Sequence, residues 1–361
     1  MPNRGEATAL RTRRKVKPTA TSVAAAAVAA PLLAGLLTGC STGEQDPGPT
    51  GPPPLTPSQT EDPLPAAGDF APYVDTSLRP SYDLLENAGK TGVKEYNLAF
   101  VSPGGGCVPK WGGRQKLGDN PVAAQVDRLR DEGGDVRVSF GGQSGKELAR
   151  VCRSVDELAN AYSKVVDAYG LTKLDFDLEG PALTDTKAHQ LRSQAIVRLQ
   201  RQRPNLNVSF TLPVMPSGLS RDALAVLKNA QKNGARINRV NIMAMDYGTG
   251  YRGDMGEYAV KAATAAHKQI QPALGIRDEK EAWDTVAVTP MIGVNDVKGE
   301  VFQPDDAARL RKFAEEKEMG GLSMWSATRD KPCPGGPDSK AQAACSGVGK
   351  RAGQFTEEFT D

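Results

Sequence analysis

Short runs of β-branched and aromatic residues alternate with longer stretches whose apolar positions recur every three or four residues, from about residue 69 onward. The short runs predict strands at 70–75, 96–101, 136–140, 174–178, 208–212, 240–245, 286–291 and 322–325. The longer stretches carry helix start signals. Asn120 places a capping side chain before Pro121 at a first helical position, and Ser154 with Glu157 forms a capping box whose helix runs to Gly170. Ser220 opens another helix, and Gln303-Pro304-Asp305-Asp306 opens one that ends at Gly320-Gly321. Eight strand–helix units predict an α/β fold, a single (β/α)8 TIM barrel. An open doubly wound sheet is the alternative, but it needs a Gly-rich phosphate turn after an early strand. The nearest candidate, at 141–146, has Phe140 where a P-loop needs its first Gly and Glu147 where it needs Ser or Thr. It also has Lys146 where the last Gly of G-x-S-x-G belongs.

Within the fourth predicted strand the polar positions are unusual. Asp175, Asp177 and Glu179 alternate with Leu174, Phe176 and Leu178, so a strand sends all three acids to one face, with neighbours roughly 7 Å apart. Burying one carboxylate is costly, and burying three demands shared protons or dedicated hydrogen bonds. The spacing alone leaves three readings open: a catalytic set, a solvated strand face, and oxygen ligands for a divalent metal. Barrel geometry favours the first, because functional side chains project from the C-terminal ends of strands. Ser139, Gly141 and Gly142 end the third strand, Asp246 and Tyr247 the sixth, and Trp325 the eighth, while Asn295 and Asp296 follow the seventh.

The N-terminal part is of another kind. Arg4, Arg11, Arg13, Arg14, Lys15 and Lys17 precede an Ala-rich run at 21–37, which is too short for a comfortable membrane span but has the form of a signal-peptide core. Leu37-Thr38-Gly39-Cys40 follows directly and resembles a bacterial lipobox, which implies cleavage before Cys40 and lipidation of its thiol. Residues 41–68 are dense in Pro, Gly, Ser and Thr and read as a disordered tether. The expected organisation is a signal peptide at 1–39, a tether at 40–68 and a catalytic domain at 69–361. The product is then an exported lipoprotein on the outer face of the cytoplasmic membrane, or one released outside the cell.

Export changes the charge picture. The chain holds 45 Lys and Arg against 43 Asp and Glu; without the six basic residues named above and Glu6 the balance is 39 against 42, a formal charge of −3. No basic cluster interleaved with aromatics remains to bind nucleic acid. With Cys40 assigned to lipid, Cys107, Cys152, Cys333 and Cys345 form an even set that three disulfide pairings can satisfy. Cys333 with Cys345, closing a Pro/Gly-rich loop, and Cys107 with Cys152 are favoured. Metal ligation is less attractive, since there is no C-x-x-C and the only histidines, His189 and His267, fall in helix-like segments as structural or surface residues.

Taken together, these residues resemble glycoside hydrolase family 18, the chitinase family, over roughly residues 69–330. The family's strand-four signature D-x-x-D-x-D-x-E is matched at Asp175, Asp177 and Glu179, its strand-three S-x-G-G at Ser139 to Gly142, and its strand-eight tryptophan at Trp325. Thr172 and Lys173 replace the first Asp and the Gly of the fuller signature. At strand six the usual M-x-Y-D becomes Met243-Ala244-Met245-Asp246, with Met245 in place of a tyrosine that binds the substrate acetamide; Tyr247 is the expected replacement. The resemblance implies an endo-acting chitinase that cleaves β-1,4 N-acetylglucosamine linkages with retention, through a substrate-assisted oxazolinium intermediate. Glu179 is then the general acid/base, Asp177 orients the acetamide, and Asp175 shares a proton or hydrogen bond with Asp177. Trp325, Asp246, Asp296, Met245, Tyr247, Ser139 and Gly142 are the expected substrate-binding residues, and Trp111 either stacks on a further sugar or braces its loop. No cofactor or metal is expected, the partners being chitin oligosaccharides and, through Cys40, a membrane, with the protein a monomer. A silent glycan-binding barrel and an endo-β-N-acetylglucosaminidase acting on N-glycans are the alternatives.

Overall fold

The structure is a computed structural model and describes residues 70–144 and 146–360. The signal peptide at 1–39, Cys40 and the tether to residue 68 lie outside the described residues. All eight predicted strands form and lie parallel in chain order. They are β1 (Tyr73–Asp75), β2 (Glu95–Pro103), β3 (Asp135–Gly141), β4 (Lys173–Asp177), β5 (Asn207–Met215), β6 (Arg239–Met243), β7 (Val286–Thr289) and β8 (Gly321–Leu322). The ring closes where Ala71 N donates to Leu322 O at 2.9 Å and Tyr73 N to Met324 O at 3.0 Å. This is the barrel expected from the alternation.

Each strand is followed by a helix: α1 (Leu84–Thr91), α2 (Val126–Asp131), α3 (Val155–Tyr169), α4 (Thr186–Gln202), α5 (Arg221–Asn233), α6 (Met255–Leu274), α7 (Pro304–Lys317) and α8 (Gln354–Thr360). Three of the capping residues read from sequence act as such, whereas Asn120 accepts from Val122 N and Ala123 N ahead of a 3-10 turn and α2 begins only at Val126, not at Pro121. Ser154 and Ser220 accept from the N–H groups of Glu157 and Ala223, and Gln303 with Asp306 completes a reciprocal box at α7. Helix α7 ends earlier than Gly320-Gly321, at Lys317, because Glu318 turns left-handed. Helix α8 has no sequence signal of its own. Asp330 creates its start by accepting from Phe355 N, Thr356 N and Thr356 Oγ1.

Register sorts the two faces of the sheet. Phe140, Phe176 and Phe210 align across β3, β4 and β5 and pack with Tyr162 of α3, forming the apolar layer between strands and helices. The opposite row, Ser139, Asp175 and Ser209, fills the barrel interior with polar groups. Both expected disulfides are present, Cys107–Cys152 and Cys333–Cys345, closing loops of 45 and 12 residues. Loop-closure entropy puts their combined worth at several kcal/mol, about 4 for the longer. Among the described residues no helix is long and apolar enough to cross a membrane.

Candidate active site

Asp175 is fully buried and Asp177 is 3% exposed, which removes the solvated-face reading of the strand-four acids. Asp175 instead sits in a nest of hydroxyls. Its Oδ2 accepts from Ser139 Oγ at 2.6 Å and from the Tyr73 hydroxyl at 3.1 Å; its Oδ1 accepts from Ser209 Oγ at 2.6 Å and Thr211 Oγ1 at 2.9 Å. These four donors match the roughly four lone-pair sites of a carboxylate. The polar chain continues through Asn241, which donates to Thr211 and Tyr73, and Thr289, which donates to Asn241 at 2.8 Å. The expected sharing between Asp175 and Asp177 is therefore corrected: no hydrogen bond joins them, because the hydroxyls occupy both Asp175 oxygens.

Asp177 pairs with Glu179, one residue pair further along. Burial raises the Asp177 carboxyl well above the ordinary 3.8, and the charges of Glu179 and Asp175 push it further. Glu179, at the rim, is also raised, first by burial and then by Asp246, against the opposing hydrogen bond from Asp177. Two neighbouring carboxyls in this setting hold a proton to higher pH than either would in water. Asp177 Oδ1 is buried without a hydrogen-bond partner. A polar atom left so is one that a bound molecule can satisfy.

Asp177 and Glu179 line a cleft at the C-terminal mouth of the barrel together with Trp325, Met245, Asp246 and Asp296. Trp325 stacks on Phe100 with ring centroids 5.6 Å apart and leans on Tyr73 at 6.0 Å, forming an aromatic wall. Sequence reasoning missed Tyr73, Phe100, Gln143 and Thr211 on the cleft lining. Only the strand-end position of Phe100 and Thr211 could have signalled them.

Three expected substrate contacts lie elsewhere. Ser139 is fully buried behind the acids and is spent on Asp175. Gly142 also stands behind them: its N–H donates to Asp177 O at 3.2 Å, and a Cβ there would meet the Phe100 ring at 2.8 Å. Tyr247 does not reach the cleft wall. Asp246 adopts φ +53°, which ends the strand alternation, so the next residue turns into a cluster with Tyr251 and Tyr258, where its hydroxyl is buried without a partner. Trp111 is buried and donates to Tyr169 at 2.7 Å, so it braces its loop. His189 bonds to Ala182 O and His267 stacks on Trp283 at 3.9 Å, both outside the cleft.

The Asp246 and Asp296 side of the cleft is held by two buried charges. Glu300 accepts from Tyr247 N at 3.1 Å and Gly248 N at 2.7 Å, fixing the turn just past Asp246. Arg329 donates to Ile292 O at 2.9 Å, Val294 O at 2.7 Å and Gln342 O, fixing the chain that leads to Asp296. Burial brings the guanidinium down to about 10 while the charges of Asp296 and Asp246 oppose the shift. Asp246 Oδ1 accepts from Val297 N at 2.9 Å and ties the two loops together. Among the described residues no group of three or more His, Cys, Asp or Glu side chains is placed to hold a metal.

No family model matches the chain. It is 33% identical over 277 residues to a protein named "Probable bifunctional chitinase/lysozyme" of Escherichia coli (strain K12), covering 73% of this chain and 31% of that one. It is 32% identical over 278 residues to Endochitinase 11 of Metarhizium anisopliae, covering 73% and 52%. The chain thus spans 31% and 52% of the length of these two curated relatives. The solved catalytic domain of a hyperthermophilic chitinase from Pyrococcus furiosus superposes with TM-score 0.73 at 35% identity, over 80% of this chain and 93% of that one.

Proposed function

The chain belongs to the chitinase family, and from that premise we propose that it is a family 18 glycoside hydrolase that cleaves chitin internally at β-1,4 N-acetylglucosamine linkages with retention of configuration. The observation that carries this reading is the Asp177–Glu179 pair, both raised by burial and facing a cleft floored by aromatic rings. Glu179, at the rim, delivers the shared proton to the glycosidic oxygen. The acetamide carbonyl of the sugar at the cleavage point attacks its own anomeric carbon, and Asp177 Oδ1 accepts the acetamide N–H. Glu179, now a carboxylate, takes a proton from the water that opens the oxazolinium ring. Trp325 supplies the apolar floor, and Asp246 and Asp296 bind sugar hydroxyls along the opposite wall.

A glycan-binding role without turnover is the second reading, favoured by Met245, which brings no hydroxyl to the wall. The test is hydrolysis of tetra-N-acetylchitotetraose and colloidal chitin by the full chain and by Glu179→Gln. Turnover by the parent, with β-anomeric products early in the reaction and a fall of about 10² to 10⁴ in the variant, supports the mechanism. Binding of the oligosaccharide with no turnover selects the second reading, and cleavage of N-glycans alone selects an endo-β-N-acetylglucosaminidase. A rapid loss of polymer length at low product yield would mark internal cleavage. The proposal extends to an exported, monomeric protein anchored through lipid on Cys40, supported by the basic, apolar and Cys order of the first 40 residues. The mass of its mature N-terminus and its sedimentation test that part.

A further inference from the structure

The cleft carries a feature that the proposed reaction does not use. Met243, Met245 and Met291 all line it, beside Asp177 and Glu179, where sugar recognition calls for hydroxyl donors and flat rings. The chain has four other described methionines, and burial separates them. Met255, Met319 and Met324 are fully buried in the core, and Met291 is 3% exposed. Met243, Met245 and Met215 are half-buried. Met215 ends β5 next to the turn to Gly218 and is not part of the cleft. Of the three half-buried methionines, two therefore line the cleft.

A thioether is soft and apolar, and a hydroperoxide converts it to a sulfoxide that is polar and accepts hydrogen bonds. We propose that Met243 and Met245 are oxidation sites whose sulfoxides block this cleft, which makes the protein reversibly sensitive to hydroperoxides. In the step the sulfur attacks the distal peroxide oxygen, the O–O bond breaks, and one oxygen is transferred. Sulfur loses two electrons and the peroxide is reduced to an alcohol, or to water from hydrogen peroxide. The sulfoxide adds a bulkier, polar acceptor to the lining beside Asp177, Glu179 and Asp246, within a site whose acids must keep their proton arrangement. Reduction by a thiol-dependent methionine sulfoxide reductase restores the wall.

This inference rests on the glycan-binding reading of the cleft, and its test separates the two. The full chain is treated with hydrogen peroxide with and without tetra-N-acetylchitotetraose. Sulfoxide is then mapped by peptide mass spectrometry, and oligosaccharide binding and turnover are measured. The expected result is sulfoxide at Met215, Met243 and Met245, with the oligosaccharide protecting the latter two only, and a loss of binding or turnover of about tenfold or more that the reductase reverses. Met215→Leu should lose activity on treatment as the parent does, and Met243→Leu/Met245→Leu should keep most of whatever activity it starts with. Oxidation at 243 and 245 that abolishes binding in a chain showing no turnover keeps the inference and removes only the hydrolase reading. Sulfoxide confined to Met215, or sulfoxide at Met243 and Met245 with binding and turnover intact, overturns it.

Discussion

The two halves of the cleft are built on different principles. On the β3–β5 side Asp175 and Asp177 lie in a regular strand with Glu179 just past its end, and neutral hydroxyls from the neighbouring strands hold Asp175 at fixed register. On the β6–β8 side Asp246 and Asp296 stand on loops, and two buried charges, Glu300 and Arg329, hold those loops by their backbone groups. A strand needs side chains only to tune its acids, since the ladder already places them. A loop has no ladder, so its backbone N–H and C=O groups require partners of their own, and a charged partner makes the stronger bond. Placement of Asp175 and Asp177 thus falls to the sheet, and placement of Asp246 and Asp296 falls to braced loops.

The largest expected effect lies with the proton itself. Glu179→Gln should reduce kcat by about 10² to 10⁴ with little change in folding, because the lost group acts only at the reacting atoms. Next comes the loop brace. Arg329→Met strands the carbonyls of Ile292, Val294 and Gln342 and should cost about 3 kcal/mol of stability, read from urea unfolding. Glu300→Ala frees the N–H groups after Asp246. It should cost about 2 kcal/mol and raise KM more than it lowers kcat, with Glu300→Gln recovering part of the loss through its remaining carbonyl oxygen. If Arg329→Met or Glu300→Ala left KM unchanged, the loops would not owe their placement to these charges.

The hydroxyl side should respond less. Ser209→Ala removes one of four donors to Asp175 and should cost about 1 kcal/mol, without altering KM. Asp177→Asn carries a sign that distinguishes function from stability. A carboxyl raised in the fold favours folding fully below its unfolded value near 3.8, and that contribution is lost as pH rises through the folded value. The parent should therefore lose stability relative to Asp177→Asn between acid and neutral pH, so the variant is the more stable protein at pH 7 while being far less active. Melting curves at pH 4 and pH 7 check this. For the parent, turnover should fall on the alkaline side as the Asp177–Glu179 pair gives up its shared proton.

How far the site could be read in advance follows the same division. Strand periodicity places Asp175, Asp177 and Glu179 on one face without any tertiary information, because alternation is a property of the extended backbone. The same rule misplaces Tyr247, since the left-handed turn at Asp246 interrupts the extended chain and Glu300, more than fifty residues away, stabilises that turn. Ser139 and Gly142 were legible as a motif, but their service to Asp175 and Phe100 was not. The cysteine pairs, by contrast, are the ones favoured among three possible pairings.

Local order along the chain therefore determined the eight strands, the helix starts at Ser154, Ser220 and Gln303 and the acid ladder, which depend on period and turn chemistry, and it narrowed the cysteine pairings to three. The closure of the barrel between Phe70 and Leu322, the hydroxyl nest around Asp175, the pairing of Asp177 with Glu179 and the bracing of Asp246 and Asp296 were decided only in three dimensions. The closure, the nest and the bracing join groups distant in sequence, and the Asp177–Glu179 pair depends on the burial that the rest of the fold supplies; no short-range pattern encodes which buried donor will meet which acceptor.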